Sequence, residues 1–195
     1  PGGTTNNVMA LDRMTGKTVW TSKTVGDTTH FCSPILVNHN GTMMLVSVSR
    51  HYVFGVDAKT GGLLWKYPVA FKYDGDHANT PVYQAPFIYW VPGDENSCGA
   101  VKLEIAPDGK SVKETWSNPP VRNSMGGLVL VNNRLYSTTE NKNLNALDLA
   151  TGAIAEKIRA PYGQTIFADN KFIVYGNNGD VSLFNLTNEK LTPGG

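Results

Sequence analysis

A short motif returns along the chain at a near-constant interval, and that recurrence restricts the fold more than any other feature. Ala10-Leu11-Asp12-Arg13-Met14-Thr15-Gly16, followed by Trp20, comes back as Gly55-Val56-Asp57-Ala58-Lys59-Thr60-Gly61, followed by Trp65. A third copy reads Ala146-Leu147-Asp148-Leu149-Ala150-Thr151-Gly152. Degenerate copies stand at Leu103–Gly109, reaching Trp116, and at Leu183–Lys190. The step is about 43 residues, which is the length of a four-stranded propeller blade.

Turn chemistry explains the spelling. A strand ends at Asp12, Asp57 or Asp148, whose carboxylate accepts backbone N–H groups round the turn. Thr15, Thr60 and Thr151 add a hydroxyl, and Gly16, Gly61 and Gly152 supply the positive φ that closes the hairpin. Trp20 and Trp65 are large enough to cover the seam between neighbouring sheets. These residues are therefore expected to be architectural. Between the motifs, short β-branched and aromatic runs alternate with turn residues, among them Phe31–His39, Thr42–Ser49, Thr80–Gln84, Gly127–Val131 and Asp180–Leu186. Helical periodicity is absent throughout.

The expected architecture is all-β: a β-propeller of four-stranded antiparallel blades, three complete and two partial. The boundaries are a partial blade 1–25, blades 26–70, 71–118 and 119–160, and a partial blade 161–195. A propeller closes its ring to remove exposed strand edges. Partial blades at both ends therefore predict one part of a larger ring, completed by a missing N-terminal half or by a second copy of the chain in a homodimer.

Composition narrows the partners. A net charge of +1 from 17 basic and 16 acidic residues gives no electrostatic footprint for nucleic acid. The longest apolar runs, such as Phe87–Val91, fall far short of the ~20 residues of a spanning helix. No targeting segment is visible. Cys32 and Cys98 lack metal-type spacing and are read as two separate thiols, pairing only if the fold brings them together.

In its motifs the sequence resembles the pyrroloquinoline-quinone (PQQ) repeat family, whose tryptophan-docking motif is A-x-D-x-x-T-G-x-x-x-W. Ala10, Asp12, Thr15, Gly16 and Trp20 match it in full. Gly55 replaces its Ala in the second copy, and Glu156 stands where the third should have Trp. The resemblance implies the second half of an eight-bladed propeller from the bacterial periplasm or cell surface. Some relatives are PQQ- and Ca²⁺-dependent dehydrogenases of alcohols and sugars; others keep the repeat as scaffold, among them an outer-membrane assembly lipoprotein that handles β-barrel precursors. The adjacent Cys-Cys pair of many dehydrogenases is missing here, and no Glu/Asn/Asp calcium set falls on matching positions.

Loops entering the innermost strands converge at one end of a propeller channel. His30 precedes Pro34 by four residues and His77 precedes Pro81 by four, while Asn123 and Tyr162 hold the corresponding places in the next two loops. Asn79, Ser124 and Gln164 stand beside them, with Asp27, Asp74, Asp76 and Arg122 nearby. This set is the expected ligand-binding channel mouth, suited to a small polar molecule or a protein; the alternative is that these residues only cap turns. His77 is read as an exposed loop position. No metal site is expected, and no catalytic residue can be named, since no G-x-S-x-G occurs and Ser33 has no identifiable base. Tyr83, Tyr89 and Trp90 are read as packing residues. The functional expectation is a non-catalytic binding or interaction scaffold outside the cytoplasm. The alternative is a quinoprotein dehydrogenase with PQQ and Ca²⁺ in the channel of the full ring.

Overall fold

The computed structural model describes residues 8–22, 25–69, 77–93, 99–124 and 126–194. Among the described residues, eighteen strands and no helix make five antiparallel sheets in chain order. The first sheet has two strands, β1 (Met9–Leu11) and β2 (Thr18–Thr21). The second contains β3 (Ile35–His39), β4 (Thr42–Val48), β5 (Tyr52–Asp57) and β6 (Leu63–Pro68). The third contains β7 (Val82–Gln84), β8 (Phe87–Trp90), β9 (Ala100–Ile105) and β10 (Val112–Asn118). The fourth contains β11 (Val129–Val131), β12 (Arg134–Thr139), β13 (Asn143–Asp148) and β14 (Ile154–Arg159). The fifth contains β15 (Gly163–Ala168), β16 (Lys171–Gly176), β17 (Val181–Thr187) and β18 (Lys190–Pro193). Each strand pairs with its chain neighbours, so every sheet is a meander, and no pairing joins the first sheet to the fifth. The blades form an open run.

Two expectations need correction. The final unit is not partial, because β18 supplies its fourth strand by pairing Lys190–Pro193 with Phe184–Thr187. The innermost strands are shorter than expected. Phe31–Pro34, Thr80–Pro81 and Gly127–Leu128 lie outside β3, β7 and β11, because proline has no N–H for a ladder and Gly127 adopts φ +69°.

The core lies in the seams between consecutive sheets. Val37, Met44, Val46, Val53 and Trp65 of the second sheet meet Ile88, Trp90, Val101, Leu103 and Ile105 of the third. Tyr89, Ala100 and Trp116 of the third meet Leu135, Leu147 and Leu149 of the fourth. Tyr136, Leu144 and Ala146 then meet Phe172, Val174, Phe184 and Leu186 of the fifth. Middle strands such as β9 and β13 are consequently buried on both faces rather than on alternate residues.

The repeated motif ties its own hairpin and then reaches across a seam. Asp12 Oδ1 accepts the Thr15 N–H and hydroxyl, both at 2.8 Å, and Asp57 and Asp148 do the same with Thr60 and Thr151. These Thr hydroxyls hold the Asp12 and Asp148 carboxyls below their ordinary value. Trp20 pairs with Ala10 across β1–β2, and its indole N–H donates to Ala58 O at 3.2 Å in the next sheet. Trp116 does likewise to Leu149 O at 3.0 Å. The indole N–H of Trp65 has no acceptor among the described residues. The corresponding carbonyl, Ala106 O, is bonded by His39 Nε2 at 2.9 Å in the degenerate turn.

The Trp20 and Trp116 indoles pack against the glycine of the next motif. A β-carbon at Gly61 would stand 2.5 Å from Trp20 Cε3, and one at Gly152 2.6 Å from the Trp116 ring. Gly16 has the same positive φ with open space around it. Gly16→Ala should therefore cost about 1–2 kcal/mol from left-handed backbone strain alone. Gly61→Ala should cost visibly more in urea denaturation, because Trp20 must also move. Trp116→Ala should cost about 3–5 kcal/mol, the range for deleting a buried aromatic side chain.

Candidate functional site

In a four-stranded meander, the connection between the second and third strands and the connection into the next sheet lie at the same end. Among the described residues, that end gathers 25–34, 77–81, 119–124, 126–128 and 160–162 with the turns at 49–51, 140–142 and 177–180. The opposite end carries tight hairpins such as Asn132-Asn133 and Asp169-Asn170, both residues at positive φ, as two-residue turns require.

The structure brings the residues predicted for the channel mouth together at the loop end, as links of a chain running from blade to blade. His30 Nδ1 accepts the His77 N–H at 3.2 Å, with ring centroids 5.0 Å apart. The His77 ring meets Trp90 edge-on at 5.1 Å, and Trp90 donates its indole N–H to Asn79 O at 2.9 Å. The Asn79 amide donates to Val91 O and Asn123 O and accepts the Gly127 N–H at 2.9 Å. Asn123 donates to Ser137 Oγ at 3.3 Å and Thr138 Oγ1 at 3.1 Å, and Thr138 reaches on to Gly163 O. The Ser124 N–H donates to the Tyr162 hydroxyl at 2.9 Å.

Burial separates the set into two kinds. His77, Asn79 and Asn123 are at most 2 % exposed, so His77 is not the exposed loop position expected. A loop residue that crosses to a neighbouring blade is covered by that blade. His30, Ser124 and Tyr162 are half-buried and Gln164 is exposed. Gln164 and Asn79 also line a cavity of about 350 Å³ with Thr80, Gly126 and Gly127 at the starts of three innermost strands. Trp90 and Tyr89 are fully buried packing residues. Asp74, Asp76 and Cys98 lie outside the described residues. Cys32 is half-buried, and burial pushes its thiol up.

The partners of several polar residues were not anticipated, although the sequence places Asp27 near the channel mouth and Glu156 at a Trp position. Asp27 fastens its loop to the adjacent turn, with Oδ1 on His51 Nδ1 at 2.8 Å and Oδ2 accepting the His51 N–H. Burial alone would raise the Asp27 carboxyl, but hydrogen bonds from His51, Ser49 and Thr28 outweigh it and hold the group below its ordinary value. Lys102 sits opposite Trp116, where Ala10 sits opposite Trp20. Its ammonium donates to Leu149 O at 2.7 Å and lies 3.8 Å from the Phe87 ring centroid. Burial pulls that ammonium below its usual value. Glu156 occupies the Trp place in the fourth sheet. Its carboxylate accepts the Leu191 N–H at 2.9 Å, and Arg134 lies between it and Glu189.

A quinone with a divalent cation needs carboxylate and amide oxygens turned into the channel. The Asn79 oxygen is bonded to Gly127 and the Asp27 carboxylate to His51. No group of three or more His, Cys, Asp or Glu residues stands close enough to hold a metal among the described residues. The described donor set does not fit such a pair.

The repeated meanders, the aromatic seams and the cross-tied loop end define a β-propeller protein of the PQQ-like repeat class. The family profile described as "Outer membrane protein assembly factor BamB" matches residues 3–158, and the chain belongs to that family. Among solved structures, BamB from Moraxella catarrhalis superposes with a TM-score of 0.72 at 16% identity, covering 97% of this chain and 58% of that one. The computationally designed Ika8 protein gives 0.68 at 14% identity, covering 93% of this chain and 53% of that one. The designed Ika4 protein gives 0.65 at 14% identity, covering 88% and 99%. The chain thus spans little more than half the length of the first two, and at these identities the likeness concerns the fold. No curated protein matches the sequence.

Two outcomes test the cross-tied reading. Asn79→Ala and Asn123→Ala should each destabilise by about 1–3 kcal/mol, the cost of leaving buried polar partners unsatisfied, whereas Gln164→Ala should be near neutral. Asp27 has a lowered carboxyl, so its contribution to stability is complete above the ordinary value of about 3.9. That contribution disappears as pH falls through the lowered value. Asp27→Asn should therefore lower the urea midpoint at neutral pH, and the gap to wild type should narrow in strong acid.

Proposed function

We propose that the chain is a non-catalytic, protein-binding propeller scaffold that works outside the cytoplasm in the assembly of outer-membrane proteins. The observation that carries this reading is the cross-tied loop end. Side chains that would otherwise serve chemistry there are spent on holding one blade to the next, which makes a rigid platform. The family's description supplies the process and supports an extracytoplasmic location. His30, Ser124, Tyr162 and Gln164 are the parts of that platform open to a protein or a small polar ligand.

The outer faces supply the second half of the reading. Ile166, Tyr175 and Val181 on the fifth sheet, and Leu11 and Val19 on the first, are all more than half exposed. Such apolar sheet faces favour further blades, from the rest of a larger ring or from a second copy of the chain. Purified residues 1–195 should therefore self-associate in light scattering. A stable 21 kDa monomer at high concentration would contradict this part of the proposal.

The functional test uses an unfolded outer-membrane β-barrel protein diluted from urea over the immobilised chain. Saturable binding, weakened by Gln164→Ala at unchanged stability, is the expected result. Absence of binding would overturn the scaffold reading. Bound-quinone absorbance with dye reduction after addition of PQQ and Ca²⁺ would replace it with the dehydrogenase reading.

A further inference from the structure

The seam between the fourth and fifth sheets is tied differently at its two ends. At the loop end the ties are neutral: the Thr165 N–H donates to Gly126 O at 3.0 Å, the Ser124 N–H to the Tyr162 hydroxyl at 2.9 Å, and the Thr138 hydroxyl to Gly163 O. At the hairpin end the ties carry charge. Arg134 of β12 donates from Nη1 to Glu189 O at 3.2 Å and from Nη2 to Glu189 Oε2 at 2.8 Å, in the turn between β17 and β18. Glu156 of β14 accepts the Leu191 N–H of β18 at 2.9 Å. In the first and third seams an indole N–H reaches the carbonyl at this end. Here Arg134 takes over the carbonyl, and Glu156 fills the place of the tryptophan.

The charge group depends on one cation. Glu156 Oε2 is shut off from solvent and has no hydrogen bond among the described residues, and Arg134 Nη1 at 3.9 Å compensates its charge. A buried carboxylate oxygen deprived of that cation is costly. Glu189 differs in being open: its side chain is 54% exposed, so dissolved ions reach the pair it forms with Arg134. Glu189 also sits at φ +63°, beside Asn188 at +50°, a conformation unfavourable to a residue with a β-carbon. One guanidinium therefore joins two carboxylates, one from each sheet, that would repel each other across the seam without it.

We infer that this seam is an ionic latch with a hinge: its hairpin end loosens as ionic strength rises, while the neutral bonds at its loop end keep the fifth sheet attached. Loosening parts β18 from β14 and uncovers Leu186 and Leu191, apolar side chains buried in this seam. The seams closed by indoles lack the response, because screening acts on charge and not on apolar burial. The latch stands on the geometry of the seam alone and is independent of the scaffold reading. It would give such a scaffold an apolar face that its ionic surroundings expose.

Amide hydrogen exchange of residues 1–195, resolved to single residues, tests the latch with sodium chloride as the only variable. Raising it from about 0.01 to about 1 M shortens the reach of charge from about 30 to about 3 Å. The Leu191 amide, bonded across the latch, should then exchange about threefold faster or more, and the Thr165 amide, bonded across the hinge, should not change. Arg134→Gln should reverse the sign: Leu191 exchanges faster than in wild type at low salt and slows as salt screens the two facing carboxylates. Glu156→Gln with Glu189→Gln keeps the side-chain shapes and should abolish the salt response. Three results would overturn the inference: a Leu191 amide indifferent to salt, an equal change at Thr165, or a wild-type salt response in Arg134→Gln. Should Arg134→Gln fail to fold, the paired glutamine variant decides alone, and a retained salt response there refutes the latch.

Discussion

Every sheet in this protein has two faces to cover, and only its neighbours in the chain to cover them with. Face-to-face burial at the seams is the constraint from which the rest follows. It explains why β9 and β13 are buried on both faces and why Trp20 and Trp116 reach across to the turn of the next blade. It also explains why glycine recurs where those indoles land. The seams are nonetheless built differently. The first and third carry an indole bonded to a carbonyl, the second carries Trp65 without that bond, and the last substitutes the Arg134–Glu156–Glu189 charge group.

The two ends of the blades follow different rules. At the hairpin end, the bonds that shape each turn are local, Asp12 to Thr15, Asp57 to Thr60 and Asp148 to Thr151, and single side chains such as Trp20 and Trp116 cross to the next blade. At the loop end they are long-range, from Asn79 to Asn123 and Gly127 and from Ser124 to Tyr162. A face whose loops are bonded to one another keeps its shape without a bound ligand. That property suits a docking platform better than a reaction centre, where charged groups must stay available to substrate.

Legibility followed the same division. The hairpin motifs could be read because their bonds join residues two to four apart, and the spelling of each copy records them. All-β meanders, blade length and the convergence of the loops were therefore accessible. The burial of His77, Asn79 and Asn123 was not, because it depends on partners 11 to 48 residues away that no local pattern encodes. Lys102 left a usable trace, since it stands at the alanine position of a degenerate repeat. Asp27 could be placed near the channel mouth, but its bond to His51 could not be read, because that partner lies in another loop and carries no motif. The fourth strand of the last sheet escaped because Lys190–Pro193 is short and ends in proline.

The distribution of indoles has an optical consequence. All four tryptophans lie in the first three seams: Trp20 in the first, Trp65 and Trp90 in the second, Trp116 in the third. The last seam is built from Tyr136, Phe172, Phe184 and aliphatic side chains. Intrinsic fluorescence excited selectively at the indole band would thus follow the parting of the first four sheets. It would be almost blind to detachment of the fifth, which is held at the charge-clasped seam.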